Sequence, residues 1–477
     1  MHVFDPERAS PPLDSKTGSG RSTLALSRYL CQTCNMIEAP FSLSRKQART
    51  IERALFRLVG DKSFIDVRSI EDLKGVSITH ELHLPDGRIK TLNDSGLEQF
   101  EILVSTVYDA DSFHGLADYA DLWDASKKTF AELSAANVMA GTAQEWLGLL
   151  SARLASEIRS RTFVVPFVGL ELKGIDELAL GPYKIIRPSI NFLDQAGVDH
   201  SWTDVPSKLQ SYRCWELWLT GSALGTHRVA ESRIRTQSAL VAGLIAVVAA
   251  AMLPNGATEL FISPNMTGHD TDGRTTWFSW GEAGSDFARH SSGLRGLPLP
   301  IDANLRDQLV DASYITTAMR IFQSERRTPL EEAVARGFHW FADAHRDPTQ
   351  VMQLVKYWSC IETLFSSDQE GITRSLSVGV ASVLVCGGYG FAKVDDYQDL
   401  KKRVAKLYAL RSQAVHRASR NHVKVRDVAE LSRFAGQLLL NALSFIEDGY
   451  QTPAQIKERC QRIDESFDAR GCEATPS

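Results

Sequence analysis

The sequence predicts an α+β, multidomain chain: a mixed α/β N-terminal region followed by an all-α C-terminal helical bundle. Three observations lead there. The chain has 477 residues, more than one ordinary core holds. Extended stretches bounded by Gly and Pro occur only before residue 300. Beyond that point the apolar residues recur almost everywhere at helical spacing.

Residues 1–23, rich in Pro, Ser, Gly and charge, read as a flexible N-terminus. From Ile51 to Asn93 a basic amphipathic helix mixes with extended segments, and the Asp86-Gly87 pair between two alternating runs signals a hairpin. A helix is expected over 142–159, with Trp146, Leu149, Leu150, Leu154 and Ile158 on one face. Strands are expected over 163–174 and 181–190, helices over 207–220 and 228–252, and strands over 259–263 and 275–279. The Gly and Pro cluster at 290–300 marks a boundary. Helices then follow over 302–323, 329–345, 349–366, 372–386, 396–418 and 425–448. The domain reading is a mixed region at 24–300, with room for two subdomains, a bundle at 301–452, and a tail at 453–477.

Composition narrows the setting. Seven cysteines in a long chain do not form a disulfide framework, and MHVFDPERASPPLDS lacks the basic-then-apolar order of a secretory leader. The expectation is a cytoplasmic protein with no membrane partner. The longest apolar run, Ala239–Leu253, is short and alanine-rich, and reads as a buried helix.

Charge is distributed unevenly. The net charge is −5, yet residues 401–426 hold nine Lys or Arg and no carboxylate. A positive helix on an acidic protein suits an anionic partner, and phosphate is the leading candidate. On the helical wheel Leu400, Val404, Leu407 and Ala414 share a stripe with Arg411, which lies about 20° from Leu400. A guanidinium keeps its proton, so at that position it needs a carboxylate or a cleft. The helix at 349–366 carries Glu362 near Val351, Val355, Trp358 and Phe365, and a Glu362–Arg411 pair between the two helices is expected. Whether that pair is structural or poises Arg411 for chemistry stays open. His416 lies about 140° around and roughly 7.5 Å along from Arg411. Either the arginine bends around to it or two copies of the helix share one site, as in a symmetric dimer.

Other signals carry less. Cys31 and Cys34 form one Cys-x-x-Cys without the second pair that zinc needs, and no metal or cofactor is expected. His345-Arg346-Asp347 lacks the other kinase motifs. Residues 18–23 lack the lysine of a phosphate-binding loop. His269, Asp270 and Asp272 read as a turn, and Trp277, Phe278 and Trp280 as sheet packing.

LYALRSQAVHR, preceded by YWSCIETLF, resembles the HEPN family of helical-bundle ribonucleases, most closely its Apea-like branch. The signature of an arginine, a polar residue and a following histidine falls on Arg411, Ser412 and His416. Trp358, Glu362, Leu364 and Phe365 match the branch's tryptophan-glutamate helix. Leu407, Tyr408, Leu410 and Val415 match the signature's surroundings. The likeness covers roughly residues 305–450. Many family members have asparagine where this chain has the shorter Ser412.

The resemblance implies a homodimeric, metal-independent endoribonuclease with a HEPN-type bundle and a catalytic set of Arg411, His416, Ser412 and Glu362. Lys402, Arg403, Lys406, Arg417 and Arg420 would contact RNA. It also implies a toxin-like role in anti-phage defence, with a phage or host trigger sensed by the N-terminal region. The alternative is a non-catalytic HEPN bundle that binds nucleic acid or a partner as sensor or scaffold.

Overall fold

The computed structural model describes residues 43–59, 63–65, 81–136, 138, 140–197, 217–256, 258–264, 275–279, 288–292, 297–324, 326–365, 371–417 and 423–473. The chain is mostly helical, with some antiparallel sheet and a helical C-terminal region. Its contacts divide it into two compact units, residues 1–160 with 224–230, and residues 161–223 with 231–477. The division differs from the expected one: the Gly and Pro cluster at 290–300 lies inside the second unit.

In the first unit, helix α1 (Arg45–Leu58) opens with a capping box in which Ser44 and Gln47 satisfy each other's backbone donors. Strands β1 (Phe64–Ile65), β2 (Glu81–His83) and β3 (Ile89–Leu92) form an antiparallel sheet in the order β1-β3-β2. The Asp-Gly hairpin is present: Gly87 takes φ +85°, and the Asp86 carboxylate accepts from the Arg88 amide at 3.0 Å. Helices α2 (Asp94–Asp109), α3 (Tyr119–Ala136) and α4 (Ala143–Leu154) complete the unit. Ile51, Leu55, Phe100, Leu103, Trp146 and Leu150 form its core. The helix expected to run to 159 stops at Leu154.

The second unit holds β4 (Arg159–Val168, from Arg161 onward), β5 (Leu170–Leu172), β6 (Glu177–Leu180), β7 (Tyr183–Ile186), the short helix α5 (Ile190–Gln195) and β8 (Leu217–Gly225, up to Ala223). Helix α6 (His227–Met252, from Glu231 onward) follows, then β9 (Ser263–Pro264), β10 (Thr275–Ser279), β11 (Ala288–Ser292) and β12 (Leu299–Ile301). The largest sheet runs β6-β7-β8-β4-β9, β10 pairs antiparallel with β11, and β5 pairs parallel with β12. The helix expected over 207–220 is corrected in part, because Leu217 begins a strand. Residues 217–221 are buried without alternation, so the strand reads like an apolar helix segment. The rest of that expectation, and those at Cys31, Cys34, 18–23 and His269–Asp272, lie outside the described residues.

Helix α6 is long and apolar enough to cross a membrane, and 78% of its apolar window is buried inside the protein. Its small residues explain the burial. A Cβ at Gly243 would lie 3.1 Å from the Phe338 carbonyl oxygen, and one at Gly436 would lie 2.8 Å from that of Val247. Neighbouring helices therefore approach α6 at backbone distance.

The bundle consists of α7 (Ala303–Asp311), α8 (Ser313–Gln323), α9 (Pro329–Arg346), α10 (Gln350–Phe365), α11 (Ile372–Cys386), α12 (Tyr397–Arg417), α13 (Val425–Glu447) and α14 (Pro453–Glu473). The single helix expected over 302–323 is broken at Ala312, whose backbone is extended. The expected tail is instead a helix of 21 residues, with Ile456 and Cys460 buried.

Candidate functional site

Helix α12 packs against α11, with Val404 and Leu407 buried. Arg411 lies between them on the wheel, yet its side chain keeps 25% of its surface exposed. Downstream, Ser412 is half-buried and Val415 is 49% exposed, whereas Ala414 on the stripe stays buried. Arg411 is thus a partly exposed cation beside a buried apolar stripe.

Glu362 on α10 meets it. Arg411 Nη2 lies 3.3 Å from Glu362 Oε1, and the carboxylate is also 25% exposed. Glu362 sits at the margin of α10, whose buried face is Leu354, Tyr357, Trp358, Ile361 and Leu364. Val351 and Val355 share that margin, whereas Trp358 and Phe365 of the stripe read from sequence are buried. Burial pushes the Glu362 carboxyl above its ordinary range, and the Arg411 charge opposes that rise.

Two aromatic rings fix the pair. The Tyr408 ring lies 5.5 Å from the guanidinium carbon, and Trp358 stands edge-on to Tyr408 at 5.1 Å. Trp358 Nε1 donates to the Leu407 carbonyl at 3.3 Å, the oxygen that accepts the Arg411 amide in a regular helix. Arg411 Nε is buried with no hydrogen-bond partner. Among the described residues Glu362 is the only hydrogen-bond acceptor on this guanidinium. The Arg411 Nε is closed to solvent, so an anionic ligand would meet only the exposed part of the guanidinium.

The other site residues divide. His416 falls in the last turn of α12, but its side chain and that of Arg417 lie outside the described residues, as does all of Arg420. Lys402 and Lys406 are exposed, Lys402 with Asp399 at 3.4 Å. Arg403 is bound within the fold: its Nε donates to Glu430 at 2.7 Å, and Asp427 lies 3.6 Å from its Nη2. Lys401 pairs with Asp464 of α14. Part of the positive charge read from sequence is thus neutralised by helices α13 and α14.

The buried Asp464 contacts had a signal in sequence: Ile456, Cys460, Ile463 and Phe467 recur at helical spacing. Tyr397 Oη donates to Asp464 at 2.9 Å, and its ring stacks on Phe467 at 4.0 Å. In the His345-Arg346-Asp347 tripeptide, His345 is buried and accepts from the Ile262 amide at 2.9 Å, while Asp347 binds Lys356 at 2.8 Å. Both roles hold the fold together. Compared with known protein families, curated proteins and solved structures, the chain matches none.

Proposed function

We propose that this protein is a HEPN-type, metal-independent endoribonuclease of the Apea-like kind, acting as a homodimer in the cytoplasm. The observation that carries the reading is Arg411. It is a partly exposed guanidinium held by one partly buried carboxylate and an aromatic face, and Glu362 is its only hydrogen-bond acceptor among the described residues. A purely structural arginine would be expected to have its donors paired inside the bundle.

In the proposed reaction the ribose 2′-hydroxyl attacks the adjacent phosphorus and the bond to the 5′-oxygen breaks. The products are a 2′,3′-cyclic phosphate and a 5′-hydroxyl. Arg411 binds the non-bridging oxygens and offsets the charge that grows on them. His416 takes the hydroxyl proton and, once protonated, returns it to the leaving 5′-oxygen, chemistry that suits a pKa near 6.5. Ser412 adds a hydrogen bond, and Glu362 positions Arg411 without touching the substrate. Lys402 and Lys406, with Arg417 and Arg420, draw in the RNA backbone, whereas Arg403 serves the bundle first. A role in anti-phage defence, with the N-terminal region sensing a trigger, follows from the same resemblance.

The test is cleavage of labelled RNA in the presence of a chelator. Wild type should leave cyclic-phosphate ends, and His416→Ala and Arg411→Ala should each lower the rate by about 100-fold or more. Steeply salt-dependent binding without cleavage by wild type would favour the scaffold reading instead.

A further inference from the structure

Helix α1 carries a face that is exposed and unpaired by any carboxylate among the described residues. At about 100° per residue, Arg45, Phe56, Arg49, Arg53, Lys46 and Arg57 fall in that order within an arc of about 120°. All six are exposed, Phe56 by 81%. Ile51, Ala54, Leu55 and Leu58 take the opposite side and are buried. Among the described residues no carboxylate pairs with any of the five cations. Arg57 reaches the neutral Gln99 Oε1 at 3.4 Å. The helix's one acid, Glu52, lies outside the arc and accepts from the Ala143 amide at 3.3 Å.

An ordinary solvated face intersperses acids among bases, because like charges four residues apart weaken a helix. Here Arg45, Arg49, Arg53 and Arg57 follow one another at that interval, on a chain whose net charge is −5. The exposed phenyl ring, between Arg45 and Arg49 on the arc, adds nothing to the core. The face is complementary to a polyanion that also offers a flat apolar surface.

We propose that this face of α1 binds a single strand of nucleic acid, its cations tracking the phosphates and Phe56 stacking on an unpaired base. A duplex offers the phosphates but keeps its bases stacked on one another. A lipid surface is the poorer fit, because an interfacial helix sinks its apolar side into the bilayer. That side of α1 is already buried in the core, leaving Phe56 alone. The site belongs to the first unit and stands whether or not the second cleaves RNA.

The experiment measures fluorescence anisotropy of a labelled single-stranded DNA with the full-length protein across a salt series. DNA lacks the 2′-hydroxyl and cannot be cut by the chemistry proposed above, so the two readings fail separately. Alanine is well tolerated at exposed helical positions, and circular dichroism checks each variant's fold. The triple variant Arg45→Ala, Arg49→Ala, Arg53→Ala should reduce the slope of log affinity against log salt by about 2. Phe56→Ala should weaken binding about fivefold or more with the slope unchanged. The proposal is overturned if both variants bind the strand as wild type does. It is also overturned if wild type prefers duplex DNA, or binds phosphatidylserine vesicles and not the strand.

Discussion

In the proposed reading Arg411 couples stability to chemistry, because the carboxylate that holds it is itself partly buried. Removing either partner leaves the other as a partly buried, uncompensated charge. Glu362→Ala and Arg411→Ala should each destabilise the protein, and the double variant should be less destabilised than their sum by about 1 kcal/mol. Urea denaturation of the four proteins measures this, and simple additivity would contradict the pairing. His345 makes a second prediction at this scale. Burial, aided by the Arg346 charge, pushes its pKa down to about 4. The unfolded chain takes up a proton near pH 6.5 that the folded chain refuses until about pH 4. Stability is therefore complete above the higher value and is lost as pH falls between the two, by about 3 kcal/mol in all. His345→Gln, which keeps an acceptor for the Ile262 amide, should flatten that part of the profile. An unchanged slope would show that the histidine does not remain neutral in the fold.

Among the elements, α10 and α12 were legible from sequence because their apolar residues recur at 3.6-residue spacing and one charge in each interrupts the pattern. The hairpin at Gly87 was legible because an Asp-Gly turn allows few alternatives. Strand β8 was not, since a strand buried on both faces has no alternation to read. Helix α14 was missed because its four apolar positions are diluted by charges, and one of those charges, Asp464, is the side chain that docks it. Burial works against the Asp464 charge, but hydrogen bonds from Lys401 and Tyr397 together with the Lys401 and Arg374 charges hold its carboxyl below the usual range. Its contribution is present above the ordinary aspartate pKa and is lost as pH falls through the lowered one. Asp464→Ala leaves Lys401 and the Tyr397 hydroxyl without this acceptor and should cost about 3 kcal/mol, read from the urea midpoint. A shift below about 0.5 kcal/mol would mean that α14 is held by its apolar face alone.

For the whole molecule, the separation of Arg411 and His416 around one helix leaves two arrangements, and the proposed dimer takes the one in which two subunits share a site. Mixing Arg411→Ala protein with His416→Ala protein should then restore cleavage, because one of the two centres in a mixed dimer has both wild-type groups. A site formed within one chain would give no rescue. The legible part of this site was its residue types and their order. Its charge balance was not, because the sequence does not show that Glu430 and Asp464 draw Arg403 and Lys401 into the bundle. The most direct measurement is the end chemistry of RNA incubated with the full-length protein and chelator. The account predicts 2′,3′-cyclic phosphate and 5′-hydroxyl ends whose formation stops in His416→Ala. Intact RNA with wild type, or equal cleavage by His416→Ala, would contradict it.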